Sequence, residues 1–386
     1  MDDPRSYRPI SLLCVPYKLL ERLLFRLEPP TQQGGFRRGR FTVQQVVKLT
    51  SVIEESYEEI REAGLVLVDL TAAYDTVWHQ GLTLKLLQTI PDRHPVRFIV
   101  EIISDRSFIL KTSDGQCSRL RRLKNGVPQG PTLAPMLFNI YIRDIPDTVS
   151  TQYCYADDLA LLFSHKCWNE VEKVLSLDMQ RVADYLSAWR LRLSTAKTTC
   201  TAFHLNNRES SRKLAVTVNG TTIPYTQNPT YLGVMPDRQL TFRQHLEGLC
   251  GKVRARNCLP RLLAGSTWGV HASVLRTSAL ALAYSAAEYA APAWCRSTHT
   301  KKLDAALNDT MHIISGGLKP TRREFLPVLT GIPPAHLRRE HSTFKLALQA
   351  QLNANHPFMP FSTAYSCAAH SACIHDVPST AMLRRC

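Results

Sequence analysis

Acidic residues are in short supply in this sequence, 32 Asp and Glu against 47 Lys and Arg, which leaves a formal net charge of +15. With 44% hydrophobic residues, that surplus sits on a chain able to bury a core, which excludes a disordered basic tail. A polyanionic partner is the economical reading, because Lys and Arg recruit phosphate backbones by releasing condensed counterions. A merely soluble basic protein is the plainer alternative. Densely and evenly spaced cysteine is also missing. The 11 cysteines are an odd number and fall mostly singly, as at Cys14, Cys117, Cys154, Cys200 and Cys258. That pattern argues against a secreted disulfide scaffold and for a reducing, intracellular setting. The start, Met1-Asp2-Asp3-Pro4-Arg5, has no basic-then-apolar leader. The most apolar stretch, Ala279 to Trp294, is broken by Ser285, Glu288 and Pro292, so no membrane span is expected. Internal repeats are absent too.

What is present is a length, 386 residues, beyond the point where single cores stop growing, so two or more packed subdomains are expected. Apolar residues at Val43, Val46, Val47, Val52, Ile53, Tyr57 and Ile60 predict an amphipathic helix, with Gly64 as its stop. Leu65-Val66-Leu67-Val68-Asp69 then reads as a strand buried on both faces and ending in an acid. Asp114-Gly115 marks a hairpin between Phe108–Thr112 and Gln116–Leu120 that carries Arg119, Arg121, Arg122 and Lys124. The loop Gly126-Val127-Pro128-Gln129-Gly130-Pro131 feeds a helix with Leu133, Met136, Leu137, Ile140 and Tyr141 on one face.

Two strand-like runs, Tyr153–Tyr155 and Leu159–Phe163, flank Ala156-Asp157-Asp158 and place acids at a hairpin tip. A helix is predicted over Trp168–Trp189, then a strand over Thr199–Phe203, a hairpin at Val216–Gly220 and a short strand at Tyr231–Val234. Beyond roughly Thr241 the segments are Ala/Leu-rich and helical, and the Pro/Ser/Ala/His-rich end is expected to be loosely ordered.

The acids carry the chemistry. Asp69 follows one buried strand and Asp157-Asp158 sit between two others. Phosphoryl transfer by two metal ions needs carboxylates from separate strands that converge on one point. Converging carboxylates repel one another strongly unless a cation lies between them. A lone Asp pair would read as a solvated turn; flanking apolar strands and companion motifs set this one apart.

Tyr155-Ala156-Asp157-Asp158 resembles the Tyr/Phe-x-Asp-Asp signature of reverse transcriptases. Asp69-Leu70-Thr71-Ala72-Ala73-Tyr74-Asp75 is similar to their first motif and Gly126–Gly130 to their second. Tyr7–Leu12 and Gly35–Arg40 resemble finger segments of the non-LTR (LINE-type, jockey-like) retrotransposon enzymes, and Leu191–Thr198 and Tyr231–Val234 their later palm motifs. The resemblance covers roughly residues 5 to 250.

It implies an α+β right-hand polymerase: fingers and palm interleaved over residues 1–240, the palm an antiparallel sheet backed by helices, a helical thumb or connection over 241–345, and a tail over 346–386. It also implies RNA-directed DNA synthesis with an RNA template, a DNA primer or target DNA and deoxynucleoside triphosphates, in the nucleus. Two Mg2+ ions, replaceable by Mn2+, would be held by Asp69, Asp157 and Asp158. Tyr74 would be the steric gate against a 2′-hydroxyl, or else an ordinary core aromatic. Gln129 and Gly130 would approach the nascent pair. Arg37, Arg38 and Arg40 would grip the triphosphate or merely keep the surface soluble, and Lys197 would protonate pyrophosphate or contact a phosphate.

Three departures stand against that pattern. The link from Glu28 to Gln32 is short, which is expected to impair processivity, and Pro131 stands where a small hydroxyl residue is usual. No endonuclease-like stretch precedes Met1, so dependence on a supplied primer is expected. The rival readings are an RNA-dependent RNA polymerase, against which Tyr74 argues, and a truncated relic that binds nucleic acid without catalysis. The cluster Cys367, His370, Cys373 and His375 departs from zinc-knuckle spacing, and no metal is assigned there.

Overall fold

A computed structural model of the protein describes Val15, Lys18 and residues 33–37, 39–111, 115–131, 133–265, 269–317 and 320–352. The Tyr7–Leu12 segment, the Glu28–Gln32 link, Arg38, Asp114 and the Cys367–His375 cluster lie outside those residues. The chain divides into two compact units, Met1–Gln45 with Ile53–Leu232 and Val46–Val52 with Gly233–Cys386.

The first unit is organised by a four-stranded antiparallel sheet in the order β4-β5-β1-β6, where β1 is Glu62–Val68, β4 Thr151–Tyr155, β5 Asp158–His165 and β6 Thr199–Phe203. The continuous apolar run of β1 fits its inner place: Leu65 and Val66 are fully buried between β5 and β6. The preceding helix α1 (Thr42–Glu58) ends before Gly64 is reached. Gly64 therefore does not stop a helix, as its position suggested; it lies inside β1 opposite Phe163 and Ala202. The reason is packing, since a Cβ there would come within 2.6 Å of Val171 and 2.7 Å of Leu175.

Both of those side chains belong to a long helix, Trp168–Ala188, whose buried stripe Val171, Leu175, Met179, Val182 and Leu186 covers the sheet. Helices α2 (Ala73–Thr76), α3 (His79–Thr89), α4 (Arg93–Ile103) and α5 (Leu133–Tyr141) contribute to the same core, with Leu82, Leu86, Ile99 and Phe138 fully enclosed.

One lysine is part of that core. Lys85 on α3 is 1% exposed, and its ammonium donates to Asp144 at 2.5 Å and to the Tyr185 hydroxyl at 2.9 Å, 3.5 Å from the centre of the Trp189 ring. A buried cation persists only with such counter-charge and π-face support.

Two local predictions change. The basic hairpin has a shorter ladder than its sequence suggested: among the described residues, β2 (Ser107–Phe108) pairs with β3 (Arg121–Arg122), and a further bridge joins Lys111 to Cys117. Tyr231–Val234 is a turn and not a strand, because Leu232 and Gly233 both take positive φ, 45° and 81°. The Asn219-Gly220 hairpin forms as its residues dictate, with β7 (Thr217–Val218) paired to β8 (Thr221–Thr222).

Among the described residues beyond 242, the second unit is built of helices. Its longer helices are Arg243–Arg256, Thr300–Ser315 and Ala335–Leu352, and Leu246, Val253, Trp294, Leu303, Leu307 and Met311 are among its buried residues. Arg338 pairs with Glu288 at 2.5 Å and Arg339 with Asp304 at 2.5 Å. His245 is buried, its Nδ1 accepting the Met235 N–H at 3.4 Å. No helix among the described residues is long and apolar enough to cross a membrane.

Candidate active site

The site grows from the ends of β1 and β5. Their register pairs Val68 with Leu159, so Asp69 emerges from the sheet beside the β4–β5 turn that holds Asp157 and Asp158. The backbone of Asp69 is pinned on both sides: its N–H donates to the Thr198 hydroxyl at 3.2 Å and its carbonyl accepts from Ser194 N–H at 2.9 Å. A small residue in the left-handed region lies near each acid-bearing segment, Ala72 at φ 47° three residues after Asp69 and Ala156 at φ 57° immediately before Asp157. For alanine that conformation costs roughly 1–2 kcal/mol, so neighbouring structure must hold it.

Burial, then the like charges of Asp157 and Asp69, push the Asp158 carboxyl up to about 6. Since the residue keeps an open face to solvent, the carboxylate repulsion is the part of that rise a cation would relieve. Among the described residues, no three His, Cys, Asp or Glu side chains stand grouped in ligating geometry. The donor chemistry nonetheless fits a hard divalent cation: carboxylate oxygens only, unneutralised negative charge, and two separate chain segments.

The other predicted residues fall into two groups. Tyr74 lies in α2, just after Asp69, half-buried and stacked on Phe138 with ring centres 4.7 Å apart. Burial, and then the Asp157 charge, raise its hydroxyl value. The Gly126–Gly130 loop is tied to the same turn, Val127 N–H to Tyr74 carbonyl at 2.9 Å and Gln129 Nε2 to Asp75 Oδ1 at 3.0 Å. Gly130 has φ 110°, a conformation glycine alone takes readily. Lys197 is exposed in the turn whose Thr198 holds Asp69. Arg37 and Arg40 are neighbours of each other: burial and then the Arg37 charge lower the Arg40 value.

Sequence reasoning missed Gln33. Its side chain, 3% exposed, bonds both the N–H and the carbonyl of Ala156. The adjoining Gly34-Gly35 pair was the available signal, since paired glycines mark close backbone approach.

An antiparallel sheet that presents acids from two strand ends, with helices behind it, is the palm of an α+β right-hand polymerase. The chain belongs to the reverse transcriptase (RNA-dependent DNA polymerase) family, whose model matches residues 2–235.

Its relatives are enzymes of non-LTR retrotransposons. It is 32% identical over 279 residues to the "Probable RNA-directed DNA polymerase from transposon BS" of Drosophila melanogaster, covering 68% of this chain and 30% of that protein. It is 30% identical over 272 residues to the "RNA-directed DNA polymerase from mobile element jockey" of Drosophila funebris, covering 66% and 29%. The chain thus spans about a third of the length of the curated relatives it matches. A telomerase structure from Candida tropicalis superposes at a TM-score of 0.38 with 11% identity, over 91% of this chain and 59% of that one, too loosely to carry a conclusion. Family membership implies divalent metal ions and a nucleic-acid template and primer.

Proposed function

We propose that the chain adds deoxynucleotides to a primer 3′-hydroxyl on an RNA template, using two Mg2+ ions, replaceable by Mn2+, held by Asp69, Asp157 and Asp158. The observation that carries this reading is the strand register, in which β1 ends at Val68 opposite Leu159 and so delivers Asp69 beside the β4–β5 hairpin that bears Asp157 and Asp158. When bound, such ions activate the attacking hydroxyl and stabilise the departing pyrophosphate.

The chain's own residues then position and select. Tyr74, wedged against Phe138 beside Asp157, would leave no room for a ribose 2′-hydroxyl. Gln129, oriented by Asp75, would hydrogen-bond the nascent pair, with Gly130 permitting close approach. Arg37, Arg38 and Arg40 would take the triphosphate, and Lys197 would donate a proton to pyrophosphate. Exposed Arg119, Arg121, Arg122 and Lys124 supply cations for a phosphate backbone. Residues 1–240 would then be fingers and palm, 241–345 the thumb or connection and 346–386 a tail, working in the nucleus where target DNA resides.

The test is extension of an oligo(dT) primer on poly(rA) with Mg2+ or Mn2+, comparing the parent with Asp157→Ala. Incorporation by the parent and its loss in the variant is the expected result. Equal incorporation by the two would end the assignment.

A further inference from the structure

Ala156 is the one residue between Tyr155 and the two acids, and it sits at φ 57°. A turn that carries two carboxylates in that conformation needs an outside hold, and it has one 123 residues away in sequence. The Gln33 Oε1 accepts from Ala156 N–H at 2.8 Å and from Gly35 N–H at 2.9 Å, while its Nε2 donates to the Ala156 carbonyl at 3.2 Å. Two N–H groups face one end of the amide and a carbonyl faces the other, so the partners fix its orientation.

Backbone pairing seats the same segment: Gly34 N–H donates to the Cys154 carbonyl at 2.8 Å, and Gln33 forms a parallel bridge with Cys154. Close approach demands glycine beside it, since a Cβ on Gly35 would come within 2.5 Å of Ala156 N. Gly35 is held in turn by Asn139, 1% exposed on α5, whose Nδ2 donates to the Gly35 carbonyl at 3.1 Å. Asn139 belongs to the helix that follows the Gln129-Gly130 loop, so an unbroken set of bonds runs from that helix through Gly35 and Gln33 to the acidic turn.

We propose that Gln33 is a positioning residue that sets the conformation of the Ala156 turn and, through it, the spacing of the carboxylates. The inference rests on reading Asp69, Asp157 and Asp158 as a cation site. Only a side chain with an acceptor and a donor at one terminus can bond both polar groups of Ala156: glutamate lacks the donor, and methionine, of similar length, has no donor and only a weak sulfur acceptor.

The test is Gln33→Met in the full chain, read by amide exchange and by Mn2+ binding followed by electron paramagnetic resonance. Exchange at the Ala156 amide is expected to rise about tenfold or more, with β1 and β5 amides unchanged, and Mn2+ to bind about five- to tenfold more weakly. Adding Ala156→Gly should recover much of the lost affinity, because glycine takes positive φ without the alanine penalty. If Gln33→Met fails to fold, Gln33→Leu, which also removes the acceptor and the donor, takes its place, and the same readouts apply.

Unchanged Ala156 exchange would overturn the proposal, and so would faster exchange with unaltered Mn2+ affinity. Faster exchange across β1 and β5 as well would make Gln33 a packing residue and overturn it too. A parent chain that binds no Mn2+ sinks the cation-site reading, and the exchange arm alone then decides whether Gln33 governs the turn.

Discussion

Asp69 and Asp158 are the next residues along their strands beyond the last pair of the β1–β5 ladder, Val68 and Leu159. Antiparallel strands bring residues that are distant in sequence into direct opposition, and here the residues so placed are both acids. The stability of the sheet, through Leu65, Val66, Leu161 and Leu162, all buried, thus maintains a local electrostatic repulsion that a bound cation would remove.

Tyr74 offers the sharpest test of substrate choice. Replacement by valine is expected to raise the use of ribonucleotides relative to deoxynucleotides by about tenfold or more, while Tyr74→Phe leaves the ratio near that of the parent. Single-nucleotide extension with matched triphosphates measures this, and a parallel melt controls for the lost stacking on Phe138. An unaltered ratio in the valine variant would make Tyr74 an ordinary core aromatic.

Lys85 predicts a pH-dependent stability. Burial, opposed by Asp144, brings its value from 10.5 down to about 8. Between those values the unfolded chain binds more protons than the folded one, so this group makes stability rise as pH increases from 8 toward 10.5. Urea melts at increasing pH should show that increment in the parent and not in Lys85→Met. Asp144→Asn, which strips the counter-charge from a buried ammonium but is itself half exposed, should cost roughly 1–3 kcal/mol at neutral pH. Parallel pH profiles for the parent and Lys85→Met would contradict the assignment.

His245 predicts the acid side for the helical unit. Burial, then the Lys252 charge, hold its value down from 6.5 to about 4. The folded imidazole stays neutral where the unfolded one takes a proton, so stability falls as pH drops through that window, by up to about 1.4 kcal/mol per pH unit. His245→Gln keeps an acceptor for the Met235 N–H and should flatten the loss. Thermal melts from neutral pH down to pH 4 compare the two, and an equally steep decline in the variant would rule out His245 as the cause.

Legibility followed periodicity. The β1 run, the β4–β5 hairpin and the helices at Leu133–Tyr141 and Trp168–Ala188 follow the apolar spacing of the sequence, because burial on one face or both is a local pattern. Features set by partners far along the chain were not legible. Gly64 reads as a helix stop until Val171 and Leu175 are seen pressing on it. Tyr231–Val234 has strand composition but positive φ at its centre. Lys85 is charged yet enclosed, through bonds to Asp144 and Tyr185. Gln33 acts through the two amide termini of one side chain on a turn 123 residues away, and no spacing rule encodes that.

The most direct measurement for the shared cation site is Mn2+ binding to the parent and to Asp69→Asn, by electron paramagnetic resonance or calorimetry. Asparagine keeps the side-chain shape and removes one negative charge, from a strand separate from the Asp157-Asp158 turn. Binding in the parent that weakens about tenfold or more in Asp69→Asn is the predicted result. Equal Mn2+ affinity in the two chains would show that Asp69 shares no ion with Asp157 and Asp158.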